Sequence, residues 1–101
     1  MEIKIIPQND ATVAQFIGRL DTPAAQEISS DLTALQEAAA GKLILDCKEL
    51  AYISSSGLRI FLTLRKTAAV KGGKVTLRGI NDDIRNVFLM TGFLNLFDIE
   101  E

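Results

Sequence analysis

Three consecutive serines followed by a glycine form the stretch of this sequence whose side chains are best suited to chemistry. The stretch lies between a short apolar run and a long segment with helical periodicity, and it consists of Ser54, Ser55, Ser56 and Gly57. Serine is among the best helix N-caps, because its hydroxyl oxygen accepts a hydrogen bond from an otherwise unpaired amide of the first turn. One serine is enough for that purpose. The remaining hydroxyls either add only capping and loop solvation or serve another purpose, and our hypothesis is that one of the three is the acceptor of a phosphorylation switch.

The absence of histidine removes several classes of enzyme site. The 101 residues contain no histidine, so neither a Ser-His-Asp triad nor a histidine-based zinc or iron site can form.

Two other motifs also lack the residues that their chemistry would need. Gly72-Gly73 lacks the spacing and the Lys-Ser/Thr pair of a phosphate-binding loop. Asp46 ends an apolar run, as the phosphate acceptor of a receiver domain does, but Ile5-Ile6-Pro7 offers it no acidic partner. We expect no catalytic residue, no metal and no cofactor, and a serine-nucleophile enzyme would lack the usual general base.

Composition and charge indicate one globular domain. Apolar residues make up 48% of the chain and charged residues 24%, which is ordinary for a domain with its own core. The apolar runs are too short to span a membrane, and the first residues lack the features of a signal peptide. The single cysteine, Cys47, has no internal disulfide partner. We expect a cytoplasmic protein without membrane insertion, and the net charge of −2 gives no general reason for direct nucleic-acid binding.

Positive charge is nevertheless concentrated around and after the serines. Between Leu50 and Asn81 there is no acidic residue. The basic residues of this segment are Arg59, Arg65, Lys66, Lys71, Lys74 and Arg78. Either they form an ordinary solvated face, or they create a local positive field that attracts an acidic partner surface or a phosphate.

The elements that would position the serines follow from hydrophobic periodicity and turn residues. Residues 2–6 and 12–17 alternate as two strands and predict an antiparallel hairpin. Thr22 and Pro23 indicate a helix start, with Thr22 as the cap and Pro23 in the first helical position. This helix is predicted to run to Ala39 and to stop at Gly41.

The second half of the chain alternates strands and helices. Residues 42–46 predict a strand buried on both faces, residues 58–70 a helix ended by Gly72-Gly73, and residues 74–78 a further strand. A helix capped at Asn81 follows, and residues 96–99 complete the chain as a short edge strand or an apolar tail. The predicted fold is a single α/β domain with the order β-β-α-β-α-β-α-β, in which helices pack against a mixed sheet of four to five strands.

In this order of elements, the chain resembles a STAS domain of the bacterial anti-sigma factor antagonist family. The resemblance covers essentially the whole chain and depends on five short elements at the expected separations. These are Gly18-Arg19-Leu20-Asp21, Leu43-Ile44-Leu45-Asp46, the segment from Tyr52 to Arg59, Gly72-Gly73, and Leu89-Met90-Thr91-Gly92-Phe93. The resemblance implies a regulatory binding protein and not an enzyme.

The resemblance also implies which serine is modified and by what. In that family a partner kinase, which is also the anti-sigma factor, phosphorylates the serine two positions before the motif glycine, and a partner phosphatase reverses the reaction. Here that serine is Ser55, with Ser56 the second choice and Ser54 the third. Ser54 stands where the family often has aspartate.

The unphosphorylated protein is expected to bind the anti-sigma factor serine kinase and so release a sigma factor, and phosphorylation is expected to abolish that binding. We expect Gly57 to let the partner backbone approach and Arg59 to contribute a charged contact at the rim. The predicted partner-binding residues are Asp21, Thr22, Ser54, Ser55, Ser56, Gly57 and Arg59.

The resemblance leaves a second function open. The chain would then be a constitutive STAS subunit of a larger assembly, either an accessory subunit of a lipid transporter ATPase or a stress-signalling scaffold. Such a subunit would not take up phosphate from a partner kinase.

Overall fold

The computed structural model describes residues 1–100, except for the side chain of Ser29. The strands are β1 (Glu2–Pro7), β2 (Thr12–Leu20), β3 (Lys42–Asp46), β4 (Leu50–Ile53), β5 (Lys74–Arg78) and β6 (Asp98–Glu100). The α-helices are α1 (Thr22–Glu27), α2 (Ser29–Ala38), α3 (Ser55–Lys71) and α4 (Asp82–Thr91), and a short 3-10 helix spans Leu94–Leu96. None of the helices in residues 1–100 has the length and hydropathy needed to cross a membrane.

The strands form a mixed sheet in which the long strand β2 has three neighbours. β1 pairs antiparallel with β2, and the remaining pairs are parallel, with the order β1-β2-β3-β5-β6. The first part of β2 pairs with β3, and its last residues pair with β4 after a register shift between Gly18 and Arg19. β3 and β4 therefore follow one another along the same side of β2. The pair β2–β4 reaches beyond the carboxyl end of β3, which pairs with β2 only as far as Gln15.

The core lies between one face of the sheet and the helices. Alternate residues of the strands, such as Phe16, Leu45 and Leu77, belong to one buried cluster together with side chains of all four α-helices. Because successive side chains of a strand point to opposite faces, the intervening residues form the other face of the sheet. Val13 and Ile44 are examples, and neither belongs to that cluster.

Four phenylalanines connect the layers of this core. The ring centroids of Phe16 on β2 and Phe61 on α3 are 5.2 Å apart, those of Phe61 and Phe88 on α4 are 6.1 Å apart, and those of Phe88 and Phe97 are 5.7 Å apart. The first and last pairs have edge-to-face geometry, which the quadrupole of aromatic rings favours. Phe61 is in the middle of this chain of contacts and is completely buried.

The structure confirms the predicted α/β fold and corrects three details of it. The sheet has six strands and not four to five, and β4 is a strand that was not predicted. In β4 the buried residues are Leu50 and Ile53, with two exposed residues between them, so the strand lacks the alternation by which strands are recognised. The predicted first helix is divided at Ile28, whose side chain remains buried in the core. The third correction concerns the cap of α1 and is described with the site.

Replacing Phe61 by alanine should remove the central aromatic contact of the core. We expect Phe61→Ala to lower the free energy of unfolding by about 3–5 kcal/mol, because both burial and packing are lost. Urea denaturation followed by circular dichroism measures this change. Val70→Ala is the control on the same helix, since Val70 is 87% exposed and its change should stay within about 0.5 kcal/mol. Equal effects of the two substitutions would contradict this description of the core.

Candidate functional site

The serines lie at the carboxyl end of β4, beside the carboxyl end of β2. Leu20 and Ile53 are paired as the last residues of the two parallel strands. The backbone N–H of Ser54 then donates a 2.9 Å hydrogen bond to the carbonyl oxygen of Leu20. Because Asp21 follows Leu20 directly, the start of α1 and the start of α3 are neighbours at this edge. The structure thus brings Asp21 and Thr22 next to the serines.

Ser54 is the N-cap of α3. Its backbone is extended, with φ −88° and ψ 173°, and its Oγ accepts a 3.2 Å hydrogen bond from the N–H of Gly57. The side chain is half-buried. Its oxygen therefore satisfies one of the amides that the first helical turn leaves unpaired.

Ser55 is the first residue of α3, and its side chain is exposed. Among residues 1–100, no hydrogen bond holds its hydroxyl group. Ser56 follows as the second helical residue and is half-buried. Of the three serines, Ser55 is therefore the one whose hydroxyl is most accessible to an enzyme.

Gly57 has a packing role that was not predicted from the sequence. It is buried, and a Cβ at this position would lie 2.7 Å from Cγ of Leu20 and 2.9 Å from Cγ1 of Ile53. Both distances are shorter than a normal carbon–carbon contact of about 3.5–4.0 Å. Glycine is required here because the first turn of α3 packs directly on the last residues of β2 and β4. The approach of a partner backbone to Gly57 stays a prediction.

The cap of α1 is Asp21, so the prediction that Thr22 caps this helix is wrong. Asp21 has extended φ and ψ values of −86° and −177°, and its Oδ1 accepts a 3.0 Å hydrogen bond from the N–H of Ala24. Thr22 is the first helical residue and is exposed, and Pro23 follows it within the first turn. Aspartate and threonine both form good caps. Asp21 becomes the cap because β2 ends at the buried residue Leu20, so that Asp21 is the first residue after the strand.

Several cations of the basic segment are engaged away from the serines. Lys74 pairs with Asp98 at 3.0 Å and Arg78 with Glu100 at 2.8 Å, both across the β5–β6 edge. The Nε of Arg65 donates a 2.6 Å hydrogen bond to the carbonyl oxygen of Leu96. The positive field beside the serines is therefore smaller than the number of basic residues between Leu50 and Asn81 indicates. Its nearest member along α3 is Arg59, which is exposed.

An exposed Arg–Tyr pair close to the serines was not predicted. The guanidinium carbon of Arg19 lies 4.5 Å from the centroid of the Tyr52 ring, a distance typical of a cation–π contact. The two residues are paired across β2 and β4. Since Leu20 and Ile53 point into the core, Arg19 and Tyr52 lie on the other face of the sheet. This contact could not be found from the sequence because it depends on the pairing of β4.

Asp46 and Cys47 have structural surroundings and not those of a reactive site. Asp46 is buried, and its Oδ1 accepts a 3.1 Å hydrogen bond from the N–H of Lys48. Burial, and secondarily the charge of Asp46, raise the pKa of the Cys47 thiol far above its ordinary value, so the reactive thiolate is not formed.

A cleft of about 320 Å³ opens beside Asp46, away from the serines. Within the described part of the chain, no group of three or more acidic, cysteine or histidine side chains is arranged to hold a metal ion.

The fold and this site define a small α/β binding domain that presents an accessible serine where a helix begins beside the sheet. The chain belongs to the STAS domain family, whose profile matches residues 2–101. It is 30% identical over 87 residues to BtrV of Bordetella bronchiseptica, a candidate anti-sigma factor antagonist, covering 86% of this chain and 75% of BtrV. It is 28% identical over 92 residues to the anti-sigma-B factor antagonist of Bacillus subtilis, covering 91% of this chain and 83% of that protein.

The structure is also similar to a solved anti-sigma factor antagonist. SpoIIAA in its unphosphorylated form superposes with a TM-score of 0.75 at 20% identity, covering 99% of this chain and 88% of SpoIIAA. The phosphorylated form of Bacillus SpoIIAA superposes with a TM-score of 0.73, covering 99% of this chain and 92% of that chain. These likenesses confirm the fold. The relationship to the anti-sigma factor antagonist family is confirmed by the sequence matches.

The different positions of Ser54 and Ser55 predict different effects on stability. Ser54→Ala removes the cap of α3 and should lower the free energy of unfolding by about 1 kcal/mol, within a range of 0.5–2 kcal/mol. Ser55→Ala removes an exposed hydroxyl and should change it by no more than about 0.5 kcal/mol. Urea denaturation of the two variants side by side measures both values. The assignment of the cap would be wrong if Ser55→Ala were the more destabilising substitution.

Proposed function

We propose that this protein is a phosphorylation-switched anti-sigma factor antagonist. In its unmodified form it binds a serine-kinase anti-sigma factor and thereby releases a sigma factor. Phosphorylation of Ser55 abolishes that binding, and a partner serine phosphatase restores it. The proposal is supported by the membership of the family and by one observation in the site. The Ser55 hydroxyl is exposed without a hydrogen-bond partner in residues 1–100, whereas the Ser54 oxygen accepts the cap hydrogen bond.

The chemical step would belong to the partner kinase. The γ-phosphoryl group of ATP is transferred to Oγ of Ser55, the bond between the γ-phosphorus and the oxygen that bridges it to the β-phosphate breaks, and ADP and the hydroxyl proton leave. The kinase supplies ATP and Mg²⁺. This chain supplies an acceptor on a rigid helix, held in place by the contacts of Gly57 with Leu20 and Ile53.

The helix start tolerates the product. A phosphoserine carries about −1.5 to −2 charges and three acceptor oxygens at neutral pH. The first turn of α3 contains no acidic residue, and its unpaired N–H groups and the positive end of the helix dipole favour an anion. We therefore expect the modified domain to remain folded, so that the change affects the surface.

The effect on the partner follows from desolvation. A partner that packs closely around Ser55 in the unmodified state would have to bury a dianion in the modified state. Burial of an uncompensated charge costs several kcal/mol, and about 4 kcal/mol corresponds to roughly a thousandfold loss of affinity. The proposed surface around the acceptor consists of Asp21, Thr22, Ser54, Ser56 and Arg59. Gly57 is buried beneath this surface. Since these partners act on transcription, the proposed place of action is the cytoplasm.

Substitution of Ser55 tests the switch directly. With the kinase-type anti-sigma factor of the same genome, Ser55→Ala should remain bound in the presence of ATP and Mg²⁺, because it has no acceptor. Ser55→Asp should bind the kinase at least about tenfold more weakly than the unmodified protein, because it carries a charge into the interface. Titration calorimetry measures both affinities, and mass spectrometry shows whether one phosphoryl group is added.

Ser56→Ala is the matched control, since it keeps Ser55 and should still gain one phosphoryl group. Phosphorylation of Ser55→Ala to the level of the unmodified protein would place the acceptor elsewhere. If neither the unmodified protein nor the Ser56→Ala variant takes up phosphate, the switch is absent, and the constitutive STAS subunit becomes the better description.

A further inference from the structure

Arg59 stands one helical turn after Ser55, on the same side of α3. Both residues are exposed and both are helical. Residues at positions i and i+4 of a helix are neighbours on its surface, with Cβ atoms about 6 Å apart. A phosphate on Oγ of Ser55 and the guanidinium group of Arg59 can therefore reach each other without any change of the backbone.

The order of the two charges is the favourable one. An anion placed four residues before a cation on a helix is stabilised more than the reverse order, and a phosphate on Ser55 would also lie at the helix N-terminus, the end of the dipole that favours an anion. No ion pair or hydrogen bond of the Arg59 side chain occurs within residues 1–100. Guanidinium is also the side-chain group whose fork of donors best matches phosphate oxygens.

The other charges near Ser55 do not replace Arg59. Arg19 lies against Tyr52 on the far face of the sheet. Lys66 lies eleven residues after Ser55 on α3, about 16 Å along the helix axis. Asp21, beside the serines, is an anion that would repel a phosphate. Of these three cations, Arg59 is therefore the one that helix geometry places within reach of Ser55.

We propose that Arg59 is the phosphate-binding residue of the modified domain, an internal counter-ion that pairs with phosphoserine 55. The inference rests on the proposed function, because it assumes modification at Ser55. The pairing has a consequence for the switch. In the unmodified protein Arg59 can donate hydrogen bonds to an acidic group of the partner, whereas in the modified protein the phosphate holds it. Phosphorylation then acts twice, since it adds a dianion to the surface and withdraws a cation from it.

The test uses the full chain with phosphoserine incorporated at position 55 during translation, so that no kinase is needed. Phosphorus-31 NMR titration measures the second pKa of the phosphate, which is ordinarily about 6. A nearby cation favours the dianion and lowers this pKa. We expect Arg59→Gln to raise the pKa by about 0.3 unit relative to the phosphorylated protein with Arg59. About 1 M salt should abolish most of the difference by screening.

Two control variants separate a specific pair from a general effect of charge. Arg59→Lys keeps the cation at this position and should retain most of the lowered pKa. Lys66→Gln removes one exposed positive charge from the same helix and should leave the pKa unchanged. Asp21 is present in all of these proteins, so its repulsion cancels from the comparison.

The inference is overturned if Arg59→Gln leaves the pKa unchanged, or if Lys66→Gln raises it as much as Arg59→Gln does. Either result would leave the proposed function intact, because the kinase assay on Ser55 does not depend on this pair. Conversely, a kinase that ignores Ser55 would refute the proposed function even if the pKa of incorporated phosphoserine responded to Arg59.

Discussion

The arrangement of this domain depends on the packing of the first turn of α3 on the ends of two parallel strands. Gly57 allows the helix to approach Leu20 of β2 and Ile53 of β4 so closely that a single Cβ would collide with both. The same place is tied together by the hydrogen bond from Ser54 to the carbonyl oxygen of Leu20. Because both strands end here, the starts of α1 and α3 are fixed relative to the sheet. A protein that must present one side chain reproducibly benefits from such a rigid support.

This contact also gives the three serines different surroundings. The inward position of Gly57 sets the rotation of α3 about its axis, and the hydrogen bond between Ser54 and the Gly57 amide fixes where the helix begins. Ser55 consequently points to solvent, while Ser56 is half-buried. A modification at Ser55 changes the surface without disturbing the packing beneath it. A switch of this kind needs no conformational change in the domain, because the charge itself alters what the surface can bind.

The basic residues of the domain have different structural surroundings. Lys74 and Arg78 attach the edge strand β6 to β5 through ion pairs with Asp98 and Glu100. Since β6 spans three residues, these pairs and the burial of Phe97 help to hold it on the sheet. Arg59, by contrast, is exposed on α3, one helical turn after Ser55. A count of basic residues in the sequence does not distinguish these uses, because each depends on which strand edge or helix turn the residue occupies.

The sequence was sufficient to predict the α/β class, the order of the main elements and the serine stretch as a candidate site, because hydrophobic periodicity, glycines and helix caps are local signals. It did not reveal β4, whose two buried residues are not alternate, or the division of the first helix at Ile28. It also favoured Thr22 over Asp21 as the cap of α1, because both residue types can cap a helix and a cap at Thr22 would place Pro23 in the first helical position. The tertiary structure decided these points, because they depend on where β2 ends and on what packs against it. For the same reason, only the structure could show that Gly57 packs against Leu20 and Ile53, that Ser54 caps α3, and that Arg19 contacts Tyr52.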